Sequence, residues 1–159
     1  MKRTFIKDLK VCEEEKVLLR GWVHKIRDLA SVTFVMLRDK SGIIQLVCTK
    51  EQIKGLRLEN SIEVTGMVRE NEKALGGIEI EAEKIDMVGK VYYDKLPFEI
   101  QGYKTKVSLE TQLDYRTMSL RIPKKKAIFK IQNEIEESFR RFFKENDFEE
   151  IHTPKIINS

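Results

Sequence analysis

Phe34 and Gln45 are the residues whose types and spacing could do chemistry together. They lie in VTFVMLRDKSGIIQLVC, where Val35 and Leu37 alternate to one side of a first strand and Ile44 and Leu46 to one side of a second. That leaves Phe34, Met36 and Arg38 on the outer face, opposite Ile43, Gln45 and Val47. If Asp39 pairs with Gly42 across the DKSG turn, Met36 faces Gln45, and Phe34 is its diagonal neighbour at roughly 7–8 Å between backbone positions. An aromatic face accepts an unstacked base, and an amide offers a donor and an acceptor to a base edge. Arg27, in the stretch KIRDLASVT that reads as a loop, adds a guanidinium able to neutralise a phosphate or stack on a base. Position alone leaves this open, because single exposed apolar residues are ordinary.

Other chemistries find little support. With His24 and His152 the only two histidines, acid-base catalysis by histidine is not expected, and no nucleophile and base arrangement stands out. His24 faces outward on the alternation of KVLLRGWVHKI, where most histidines are simply solvated. RDKSG lacks the glycine spacing of a phosphate loop and reads as a hairpin turn. Cys12 and Cys48 have no nearby cysteine or histidine to complete a metal site, so two reduced thiols and no metal are expected.

The elements that must position Phe34 and Gln45 are β-strands. Before the hairpin, Val17, Leu19 and Val23 alternate inward, with Leu18, Arg20 and Trp22 outward. After it, SIEVTGMVRE carries Ile62, Val64 and Val68 inward, and GIEIEAEKI carries Ile78, Ile80 and Ala82 inward. The charged stretch KEQIKGLRLEN suits a helical turn or two between the third and fourth strands. Five strands with that insertion, in roughly ninety residues, match an OB-fold, a partly open Greek-key barrel. A β-sandwich or an SH3-like barrel is the alternative.

The pattern then changes. Gly89, Pro97 and Gly102 punctuate an aromatic and basic linker, expected over residues 89–108 between a barrel at 1–88 and a helical region at 109–159. In that last region Ile128, Ile131, Ile135, Phe139 and Phe142 recur at helical spacing, with Pro123 where a helix can begin and END where it can stop. FEEIHTPKI then reads as a passage into a short strand. Thirty basic against twenty-six acidic side chains give +4, a mild lean toward polyanions. No apolar run is long enough to cross a bilayer, so a cytoplasmic protein is expected.

LRGWVHKIRDLASVTFVMLRDKSGIIQLVC resembles the N-terminal anticodon-binding OB domain of aspartyl-tRNA synthetases of the archaeal and eukaryotic type. LDYRTMSLR, AIFKIQNEI and FEEIHTPKI resemble the continuation into the class II catalytic domain through its motif 1. Lysyl and asparaginyl enzymes share this plan. The resemblance implies that Phe34 stacks on an anticodon base, that Gln45 reads the middle uridine, and that Arg27 contacts the anticodon. It also implies that Glu79 lies near the third base, where a carboxylate accepts from a cytosine amino group. At His24, relatives restricted to aspartate tRNA often carry Trp, and His accompanies acceptance of asparagine tRNA too. Motif 1 implies a homodimer through Ile131, Ile135, Phe139, Phe142 and Pro154. ATP and Mg2+ belong to motifs 2 and 3 of the complete enzyme, past the point where motif 1 breaks off. This chain is therefore expected to bind tRNA, to hold no cofactor and to be inactive alone. A free-standing single-stranded RNA binder or regulator, and a purely structural interaction module, are the alternatives.

Overall fold

The computed structural model describes residues 1–10, 15–29, 32–93, 95–103 and 105–155, so Cys12 lies outside the described residues. The chain divides into two compact units, Met1–Leu96 and Pro97–Ser159.

The first unit is a closed barrel of β1 (Lys16–Asp28), β2 (Thr33–Arg38), β3 (Ile43–Cys48), β4 (Ser61–Glu70) and β5 (Ile78–Gly89), in the cyclic order β1-β2-β3-β5-β4. Apolar alternation drives closure: Val17, Leu19, Val23, Val35, Leu37, Ile44, Leu46, Ile62, Val64, Val68 and Ile80 point inward and are essentially inaccessible. The pairs are antiparallel except the seam between β3 and β5, where Gln45, Leu46 and Val47 run parallel to Glu79, Ile80 and Glu81. Leu18, expected outside, is buried as well, because the N-terminal segment bridges to it at Arg3 and Thr4 donates to its carbonyl.

Three register shifts bend the long strands around the barrel. One lies between Val23 and Lys25, with His24 the extra residue on β1, and two lie along the β4–β5 ladder, at Ser61/Ile62 and Thr65/Gly66, with Val88 and Glu83 the extra residues on β5. The β2–β3 turn follows from its sequence, since Asp39 Oδ1 accepts from Ser41 N–H (2.6 Å), Ser41 Oγ–H (2.6 Å) and Gly42 N–H (2.9 Å). Asp39 Oδ2 accepts from Ile6 N–H at 3.0 Å, tying the N-terminal segment to this turn.

The helix expected between β3 and β4 does not form. Residues 50–60 make separate hydrogen-bonded turns, interrupted where Gly55 takes φ +79° and Glu59 φ +65°. Their Ile53, Leu56 and Leu58 still pack on the barrel core, and Gln52 anchors the segment by donating to the Ala82 and Glu83 carbonyls.

The second unit has a small core of Phe98, Ile100 and Ile122, with Val107 and Met118 against it. Residues 97–107, expected to be linker, thus contribute core residues to this unit. Helix α1 (Leu109–Asp114) is capped by Ser108, whose Oγ accepts from Thr111 N–H, and α2 (Arg116–Ser119) is a single turn. Helix α3 (Pro123–Glu145) opens on a proline at its first turn and closes at Asn146, followed by Asp147 at φ +63°. None of its residues is buried. The expected terminal strand is absent from Phe148 to Lys155, where the described backbone has no neighbouring strand to hydrogen-bond with.

Candidate nucleic-acid interface

The outer face of β1, β2, β3 and β5 carries the candidate residues in rows set by strand register. One row runs Lys25, Met36, Gln45, Glu79, and the next runs Arg27, Phe34, Val47, Glu81. Met36 therefore faces Gln45 and Phe34 is diagonal to it, as the turn requires. Phe34 and Gln45 are both partly exposed. Gln45 Nε2 donates to Glu79 Oε2 at 2.9 Å, which brings two of the expected residues into contact. That bond fixes the amide plane and leaves Oε1 and one N–H for a ligand.

Arg27 lies on β1, not in a loop: the strand continues to Asp28, and Arg27 sits directly across from Phe34. The bulge explains this. Continued alternation from Val23 would turn Lys25 and Arg27 inward, but the register shift puts Ile26 against the core and both cations outside. Arg27 and Lys25 are exposed and form no ion pair with any described residue. Lys25, not singled out from the sequence, was signalled by the three-residue step from Val23 to Ile26.

His24, at the bulge, is half-buried rather than solvated, and Arg38 Nη1 lies 3.0 Å from its Nδ1. Burial first, then the Arg38 and Lys25 charges, lower its pKa against an upward pull from Glu59. Arg38 also pairs with Glu59 at 2.7 Å and lies over the Trp22 ring at 5.9 Å. Neither Arg38 nor Glu59 was selected from the sequence, because their partners come from distant segments. Cys48 is inert, its thiol pushed up to about 12 by burial.

In the second unit Ile131, Ile135, Phe139 and Phe142 form one stripe of α3, each more than half exposed, and Pro154 is exposed as well. No described helix is long and apolar enough to cross a membrane.

A closed five-stranded barrel with aromatic, amide and cationic groups on this face belongs to the class of OB-fold nucleic-acid-binding modules. Residues 17–88 match the family model for the OB-fold nucleic acid binding domain, and residues 108–159 match that for class II tRNA synthetases (D, K and N). The chain belongs to the aspartyl-tRNA synthetase family, over its N-terminal part. It is 40% identical, across 99% of its length, to an aspartate–tRNA(Asp/Asn) ligase of Archaeoglobus fulgidus, and 41% identical, across 90%, to an aspartate–tRNA(Asp) ligase of Thermococcus kodakarensis. It spans 38% and 34% of those relatives. Among solved structures it resembles asparaginyl-tRNA synthetase from Pyrococcus horikoshii (TM-score 0.86, 29% identity, covering 98% of this chain and 38% of that one). Aspartyl-tRNA synthetase from Entamoeba histolytica is similar at TM-score 0.84 and 27% identity, covering 98% and 40%.

Proposed function

We propose that the barrel reads the anticodon of aspartate tRNA, and of asparagine tRNA too, as the N-terminal part of an aspartate–tRNA ligase. The observation that carries this is the Gln45–Glu79 hydrogen bond beside Phe34, an oriented amide next to a stacking surface. Phe34 stacks on a base, Gln45 pairs with the middle uridine through its free oxygen and N–H, and Glu79 accepts from the cytosine amino group where the third base is cytosine, as in the GUC anticodon of aspartate tRNA. Arg27 and Lys25 neutralise phosphates alongside. The relaxed tRNA range rests on His24 and on the Archaeoglobus relative, which is itself named for both tRNAs.

The complete protein, by the same reading, activates aspartate with ATP and Mg2+ in the cytoplasm and acts as a homodimer. The α3 stripe and Pro154 form the subunit contact. The 159 residues alone bind tRNA without forming an adenylate.

Binding of a GUC anticodon stem-loop, against one with its middle base changed, tests the reading. The middle-base change should weaken binding by about 1–3 kcal/mol, and Gln45→Ala should abolish the difference. Equal binding to both loops would point instead to a general single-strand binder. Absence of binding even at low salt, where phosphate contacts are strongest, would leave only a structural module.

A further inference from the structure

A buried ion pair lies one row beyond Gln45, on residues that the base-reading roles above do not use. Arg38 and Glu59 meet at 2.7 Å with side chains 14% and 3% exposed. Desolvating two charges is costly, so such a pair is weak evidence of a purely stabilising role. The backbone around it is shaped to hold it. Glu59 takes φ +65°, in the left-handed region that residues with a side chain avoid. Glu59 N–H donates to the Val23 carbonyl at 2.7 Å, and Val23 N–H donates to the Asn60 carbonyl at 2.9 Å. The β3–β4 segment is thereby stitched to β1 immediately before His24, at the bulge that aims the imidazole.

What this assembly delivers is the 3.0 Å contact between Arg38 Nη1 and His24 Nδ1. A guanidinium has donors only, so Nδ1 must present its lone pair, and a neutral ring then carries its proton on Nε2. We propose that the Glu59–Arg38 pair positions His24 as the neutral, Nε2-protonated tautomer, so that Nε2–H donates to an anticodon base flanking the one held by Gln45. This rests on the anticodon-reading function. Arg38 sits opposite Ile43, two residues from Gln45 along β3, so a strand of bases laid along β2 meets Phe34, then Gln45, then His24. Protonating His24 would turn an N–H against the guanidinium. The Arg38 and Lys25 charges oppose that protonation, and Glu59, held by Arg38, is the charge that favours it.

The chain has two histidines, so His152→Asn leaves His24 as the sole imidazole signal. Nitrogen-15 NMR of that protein should show an unprotonated Nδ1 and a titration below the ordinary 6.5. Replacing the pair together, Arg38→Met with Glu59→Leu, leaves no charge buried alone. It should let the tautomers mix, raise the titration, and cut discrimination at one flanking base about tenfold while middle-base discrimination persists. Arg38→Gln with Glu59→Leu, which returns an uncharged donor to Nδ1, should restore tautomer and discrimination. A protonated Nδ1 in the parent protein would overturn the proposal whatever the variants do. So would a folded Met/Leu variant with unchanged tautomer and unchanged flanking discrimination. Loss of middle-base discrimination in the parent would instead sink the anticodon reading, with the tautomer result still standing by itself.

Discussion

Asp39 shows how one side chain holds a surface in register. It accepts from three groups in its own turn and from Ile6 N–H, so its carboxylate organises both the hairpin and the N-terminal segment. Burial would raise its pKa, but the hydrogen bonds from Ser41, Ile6 and Gly42 outweigh that and hold it below the ordinary 3.8. A depressed carboxylate contributes stability that is complete above its unfolded value and lost as pH falls through the folded one. The melting temperature should therefore fall more steeply below pH 3.8 in the parent than in Asp39→Asn. Asp39→Ala should cost about 2 kcal/mol or more at neutral pH by chemical denaturation, because several backbone donors lose their charged acceptor. The turn was legible because aspartate, serine and glycine each have a known part in it, and Met36 opposite Gln45 followed directly. His24 was less legible: alternation gave its face, but its partners lie 14 residues away at Arg38 and beyond that at Glu59.

Among elements, the strands were readable and their irregularities were not. Alternation is a local signal, so the inward residues of β2, β3, β4 and β5 could be taken from it. A bulge depends on what the neighbouring strand does, and so Arg27 read as loop although it is paired with Phe34. The segment at 50–60 read as helical from its charged composition, yet Gly55 and Glu59 both adopt positive φ and break it into turns. Gly66 makes the cost of bending measurable. A Cβ there would collide with the Glu81 carbonyl oxygen and come within 2.8 Å of the Ile80 side chain, both on the paired strand. Gly66→Ala should therefore lose about 1–3 kcal/mol in urea denaturation, with β5 pushed away from β4. A loss below about 0.5 kcal/mol, the range of ordinary surface substitutions, would mean that the strands open without strain.

For the whole molecule, the two units handle apolar surface in opposite ways. The barrel encloses its own, whereas α3 displays Ile131, Ile135 and Phe139 without any cover from the described residues. An apolar stripe of that length on a 23-residue helix favours self-association. Sedimentation should find the 159-residue chain associating, and Ile131→Asp with Phe139→Asp should give a folded monomer that still binds the stem-loop. A parent protein that is monomeric at all concentrations would refute the subunit contact. The helix was legible from periodicity, but the strand expected after it was not realised, since a strand is defined by a neighbour and Phe148–Lys155 has none. The barrel's parallel seam carries a last consequence, in the order of assembly. Phe34 and Gln45 meet through a local hairpin, whereas Glu79 joins Gln45 from 34 residues away, across only three residue pairs. The stacking and amide parts of the surface can exist in an open meander, but the carboxylate arrives only when the cylinder closes. Bound RNA should therefore slow hydrogen exchange most at Leu46, Val47 and Ile80, acting as a clasp on the join that completes its own site.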